Sequence, residues 1–199
     1  MKNREKIIQQ PVNILITSSR RPTKSMRTLM RDLHTVIPYS FRINRGKMSM
    51  EDIAELASNL EAHHVLIVER WKGGPGKIEF YKVLDSHIEI TFPILYLSGV
   101  RLQREHKIFW RKQRIRSRSL AVANPEKTEY QRLAEALSKI FNVPLLPEEE
   151  TKKFQIYVKI SESKNRTKIT FFSNIHNMEV GPALYIKKVS DSDLKKKSC

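Results

Sequence analysis

Three stretches of the chain gather residue types that bind phosphate. Ser18-Ser19-Arg20-Arg21-Pro22-Thr23-Lys24 places hydroxyls and cations where an apolar run gives way to a helical pattern. Free backbone N–H groups and the helix dipole favour an anion at such a junction, and Ser19, Arg20, Arg21 and Lys24 are the candidate contacts. The serines read equally well as helix caps. Arg42-Ile43-Asn44-Arg45-Gly46-Lys47 is a second loop before a helix, with Arg42, Arg45 and Lys47 as candidate contacts and Gly46 read as a turn residue. The third stretch sets Arg101, Arg104, Lys107, Arg111, Lys112, Arg114, Arg116 and Arg118 against Glu105 alone. So one-sided a run repels itself unless an anion relieves it. Phe109 and Trp110 interrupt it with two aromatic faces, which either stack on an unpaired base or, the favoured reading, pack as a helix face.

Catalysis finds no comparable support. His63 and His64 are adjacent, while His34, His87, His106 and His176 are scattered, and no cysteine or carboxylate spacing completes a zinc frame. Gly73-Gly74-Pro75-Gly76 lacks the Gly-Lys-Ser/Thr of a phosphate-binding P-loop and reads as a turn. No serine lies in a nucleophile elbow. No catalytic residue, metal or cofactor is expected.

The whole composition points the same way. The 199 residues carry a net charge of +16 and a pI near 10.0, with 40% hydrophobic and 8% aromatic residues. That is enough apolar content for a real core, so global disorder is excluded, and the surplus charge implies a polyanionic partner, nucleic acid before anionic lipid. The lone Cys199 cannot form an internal disulfide, which fits a reducing interior compartment. No apolar run is long enough for a membrane helix, so no membrane partner is expected.

The elements that must position these residues follow from periodicity. Val12 to Thr17 reads as a buried strand; Met26, Leu29, Met30, Leu33 and Ile37 recur at helical spacing until Pro38; Tyr39 to Ile43 is a second strand. Ser49 followed by Glu51 and Asp52 opens a second helix. Val65 to Val68 and Ile78 to Val83 form a hairpin around the glycine-rich turn. Beyond Pro93 a new strand begins at Ile94, the basic stretch follows, and Glu126 to Phe141 predicts a third helix. Pro147 to Glu150 makes an acidic connection; Phe154 to Ile160, Lys168 to Phe172 and Ala183 to Val189 complete the strands. The order strand, basic connection, helix and hairpin thus recurs, which predicts an α/β protein of two similar halves.

Ile14 to Pro22, the block Arg42-Ile43-Asn44-Arg45-Gly46-Lys47-Met48-Ser49, and Val65 to Val68 with Lys72-Gly73-Gly74-Pro75-Gly76 and Ile78 to Tyr81 together resemble the Brix-domain proteins of ribosome biogenesis, in their compact archaeal form. The likeness runs from about Val12 to Val189, and is looser in the second half. It implies an α/β fold of two similar halves in tandem, each resembling the anticodon-binding domain of class IIa aminoacyl-tRNA synthetases. The expected organisation is a tail over 1–11, a Brix domain over 12–189 with halves near 12–85 and 94–189, and a lysine-rich tail over 190–199. The implied function is a non-catalytic assembly factor that binds ribosomal RNA or its precursor, assists its folding or processing, and meets other assembly proteins. The residues alone leave open a scaffold that docks an acidic protein and an RNA-processing enzyme with an unrecognised site.

Overall fold

The computed structural model describes residues 11–85, 87–106 and 116–191. The strands are β1 (Ile14–Ser18), β2 (Ser40–Arg42), β3 (His64–Trp71), β4 (Gly74–Leu84), β5 (His87–Arg101), β6 (Leu120–Ala123), β7 (Leu145–Leu146), β8 (Ile156–Ser163), β9 (Arg166–Ser173), β10 (Met178–Glu179) and β11 (Ala183–Ser190). The helices are α1 (Lys24–Val36), α2 (Met50–Asn59) and α3 (Gln131–Phe141). All eleven strands join one sheet in the order β2-β1-β3-β4-β5-β11-β9-β8-β6-β7, with β10 added beside β9.

The pairings of the two flanks match. β1 lies parallel to β2 and β3, and β3 turns back into antiparallel β4. Across the sheet, β6 lies parallel to β7 and β8, and β8 turns back into β9. Antiparallel β5 and β11 close the seam. Side chains alternate between the faces, so Ile14 and Ile16 meet α1 while Leu15 meets α2. α1 and α3 share one face and one core, in which Phe80 and Phe141 meet edge to face with ring centroids 6.3 Å apart. α2 covers the first flank's other face with Ile53 and Ala57, and a smaller cluster of Ala121, Ala123 and Tyr157 lies behind the second.

Several elements differ from their expected form. Ile94 does not start a strand: β5 runs through Pro93, which sits where the pairing with β4 slips between Ile78 and Phe80. A bulge needs no ladder hydrogen bond from the proline. The counterpart of β1 is therefore not Ile94 to Leu97 but β6, a run of four buried residues too short to register as periodicity. The basic stretch precedes this strand instead of following it. The turn of the first hairpin is Lys72-Gly73, both at positive φ, and Gly74 to Gly76 already belong to β4. α3 begins at Gln131, after a 3-10 turn at Thr128–Tyr130, and the acidic connection forms a 3-10 segment, Glu148–Lys153, where the first flank has α2.

Candidate nucleic-acid interface

β1 ends at Ser18 between two parallel neighbours whose connecting helices leave to opposite faces. Such a switch point opens a crevice beyond the carboxyl ends of the strands. The first two basic segments meet there. Thr23 is the N-cap of α1 and accepts from Met26 N at 3.4 Å, so the serines are not the cap. Ser18 Oγ instead donates to the Ser19 carbonyl at 3.0 Å. Thr17 and Ser19 carry buried hydroxyls without a hydrogen-bond partner among the described residues. Arg20, Arg21 and Lys24 are exposed, and Arg21 adopts φ 57 to turn the chain into the helix. No acidic residue occupies the first turn of α1, whereas α2 opens on Glu51 and Asp52 and a closed capping box with Ser49. The α1 terminus therefore keeps its partial positive charge, while the α2 terminus is already neutralised by its own chain.

The second segment contributes unevenly. Lys47 is exposed, and half-buried Arg42 reaches Asn44 Oδ1 at 3.4 Å. Arg45 turns inward: it is 8% exposed, and its Nε donates to the Met48 carbonyl at 3.1 Å, closing the turn in which Gly46 holds φ 58. Beside it lies a polar network in which buried Glu79 accepts from Lys77 Nζ at 2.7 Å and Tyr81 Oη at 2.8 Å. Burial and the Glu79 carboxylate push the Tyr81 phenol upward, against the pull of Arg45.

The described ends of the third segment lie elsewhere. Its start is fixed to α1 by Gln103 N donating to Asp32 Oδ2 at 2.9 Å, and its end by Ser117 N donating to the Thr35 carbonyl at 2.8 Å. At a rise of 1.5 Å per residue these anchors sit roughly 12 and 16 Å along α1 from Lys24, at the opposite end of the helix from the first site. Burial raises the Asp32 pKa against the Gln103 hydrogen bond. Burial, then Arg116 and Arg42, lowers that of His34. Arg104, Arg116 and Arg118 are exposed, and Arg101 is half-buried at the end of β5. Lys107, Phe109, Trp110, Arg111, Lys112 and Arg114 lie outside the described residues, as do most of both expected tails and Cys199.

The matching crevice beyond β6 was not singled out by the sequence. It is a cleft of about 220 Å³ lined by Asn124, Glu126, Lys127, Tyr130, Glu148 and Glu162 among others. Its lysines are engaged: Lys127 pairs with Glu162, and Lys159 with Glu148 at 2.7 Å. The hydrogen bond from Lys159 holds the Glu148 carboxyl below its usual range, and burial pushes Tyr157, which donates to Glu148 at 3.1 Å, up to about 12. Among the described residues no group of three or more His, Cys, Asp or Glu is placed to hold a metal ion, and no helix is long and apolar enough to cross a membrane.

No protein-family model matches the chain. A probable Brix domain-containing ribosomal biogenesis protein of Thermococcus kodakarensis is 40% identical over 92 residues, which are 46% of this chain and 44% of that protein. The protein of the same description from Aeropyrum pernix is 34% identical over 110 residues, 55% of this chain and 60% of its own. The chain spans about half the length of the curated relatives it matches. Among solved structures, the probable ribosomal biogenesis protein of Aeropyrum pernix superposes with a TM-score of 0.73 at 30% identity, covering 89% of this chain and 96% of that one. An archaeal Imp4-like protein shares the fold, with a TM-score of 0.63 at 16% identity over 89% of this chain and 99% of its own. With the sequence relatives and a solved relative of nearly full coverage in agreement, the chain belongs to the Brix-domain ribosomal biogenesis proteins.

Proposed function

We propose that the protein is a non-catalytic RNA-binding assembly factor of ribosome biogenesis that holds ribosomal RNA or its precursor while it folds or is processed. The observation that carries this reading is the first switch point, where Arg20, Arg21, Lys24 and Lys47 stand exposed around a helix terminus free of acid. Phosphate contacts there and along Arg101 to Arg118 supply affinity, and shape or unpaired bases supply selectivity. Arg42 reinforces the field, and Arg45 shapes the Gly46 turn. We read residues 12–85 and 94–189 as two halves of one Brix domain, each similar to a class IIa anticodon-binding domain. The matched pairings β2-β1-β3-β4 and β7-β6-β8-β9 support that reading, with β5 shared between them. Other assembly proteins are the expected protein partners and the cytoplasm the expected setting.

The test is a salt series of affinities for structured ribosomal RNA fragments and for duplex DNA of equal length. About five to eight phosphate contacts give a slope of log K against log salt of roughly −4 to −6 on single-stranded RNA. Reversing Arg111, Lys112 and Arg114 together weakens binding at least tenfold, about 1.4 kcal/mol, without unfolding the chain. Labelled RNA stays intact throughout. Equal, weak binding to every polyanion, with a protein complex that survives nuclease, would replace this reading by a scaffold for an acidic partner.

A further inference from the structure

The most exposed aromatic ring of the first flank belongs to a residue outside all three basic segments. Trp71 ends β3 and is 66% exposed. β3 runs parallel to β1, with Val68 opposite Ser18. Three further residues carry it roughly 10 Å beyond the strand end that opens the basic crevice. The hairpin therefore projects from the same edge as Arg20, Lys24 and Lys47. Arg70 and Lys72, both exposed, flank the indole in sequence.

The backbone is shaped to hold this ring out. Lys72 and Gly73 adopt φ 46 and φ 84, the two positive values of a type I′ turn, with Trp71 paired to Gly74. The pairing slips between Glu69 and Arg70, which leaves Gly76 as an extra residue in β4. A Cβ on Gly76 would lie 2.0 Å from Trp71 Cβ and 3.0 Å from Cγ. The space of a side chain at position 76 is thus filled by the root of the tryptophan, whose ring stands 66% exposed among the described residues.

We propose that Trp71 is a stacking residue for an unpaired base of the RNA whose backbone the neighbouring basic loops hold. The inference rests on the RNA-binding reading above and adds a contact that discriminates single-stranded from paired RNA. A large, exposed apolar ring on a hairpin that carries the exposed cations Arg70 and Lys72 suits a nucleobase, which offers an apolar face on an anionic chain. A purely apolar protein partner has no use for the cations.

The experiment uses the full chain and two RNAs with equal phosphate number, one a hairpin with an unpaired loop and one a blunt duplex. In a Trp110→Phe background, the remaining indole fluorescence is quenched by the hairpin RNA. In that background Trp71→Ala weakens hairpin binding about 5- to 150-fold, the equivalent of about 1–3 kcal/mol. Trp71→Phe retains most of the affinity, and duplex binding and the salt slope stay unchanged because no phosphate contact is lost. An unaltered melting temperature confirms that Trp71→Ala still folds. Equal binding of both RNAs by Trp71→Ala and its parent overturns the stacking role and leaves the RNA reading standing. So does Trp71→Ala losing a protein partner while keeping RNA. A parent that holds neither RNA overturns both.

Discussion

The carboxyl ends of β1 and β6 occupy matching places in the strand order, yet they handle charge in opposite ways. Beyond β1, Arg20, Arg21, Lys24 and Lys47 are exposed, and the helix that follows has no acid in its first turn. Beyond β6, Lys127 and Lys159 are paired with Glu162 and Glu148, and Glu126 shares the same cleft. Topology places a crevice at both ends, because parallel neighbours with connections to opposite faces leave one wherever they occur. Its chemistry is set by a handful of loop residues. A switch point is an opportunity for a site, and only the first of these two leaves its named cations exposed and its helix terminus free of acid.

Three variants break or sharpen this contrast. The largest effect concerns whether the flanks are separable at all. Phe80 in β4 touches Phe141 in α3 within a shared core, so Phe80→Ala costs about 3–5 kcal/mol. Denaturant unfolding followed at both flanks gives one transition, shifted as a whole; a second transition left in place would mean that the flanks are independent. Next in size is charge. Reversing Arg20, Arg21 and Lys24 to Glu lowers RNA affinity at least tenfold, about 1.4 kcal/mol, and flattens the salt slope. Lys127→Gln with Lys159→Gln changes the affinity by less than about twofold, because both lysines are already neutralised in place.

A separate effect, read in stability and not in affinity, is the pH dependence that His64 adds to the first flank. His64 opens β3 opposite Ile14, where the second flank has Ile156 opposite Leu120. Burial first, then the charges of His63 and Lys82, lowers the His64 pKa to about 4. The unfolded chain, with histidine near 6.5, therefore binds the extra proton first. The stability contributed by neutral His64 is fully present above about pH 6.5 and is lost as the pH falls toward 4. The loss is on the order of 1 kcal/mol after allowance for its partial exposure. His64→Gln reduces the slope of stability over that window, and identical slopes for the two proteins would refute the assignment.

What the sequence conveyed depended on the length of each signal. α1 and α2 were legible because helical spacing persisted over three turns and Ser49 with Asp52 made a capping box. The strands β1, β3 and β4 were legible from their apolar runs. β6 was not, since four apolar residues between Ser119 and Asn124 look like a loop until they are seen paired with β8. Without it, the run from Ile94 stands in as the counterpart of β1, and the basic stretch follows that strand instead of preceding β6. The candidate site was legible in residue type but not in grouping. Periodicity cannot reveal that Asp32 and Thr35 tether the ends of the third segment to the far end of α1, or that Arg45 faces the Met48 carbonyl. Trp71 left a trace, an aromatic between Arg70 and Lys72 before a double glycine, whose meaning depended on how far β3 outruns β1.

The strand order has a further consequence at its two ends. An open sheet presents a row of unpaired amide and carbonyl groups along each border, and a long border is a template on which another chain can polymerise. Here the outermost strands are β2, with three residues, and β7, with two. A foreign strand docking on either would gain only a few backbone hydrogen bonds before meeting loop. Among the described residues, the broad sheet thus offers a docking strand little backbone at either border, because its outermost members are so brief.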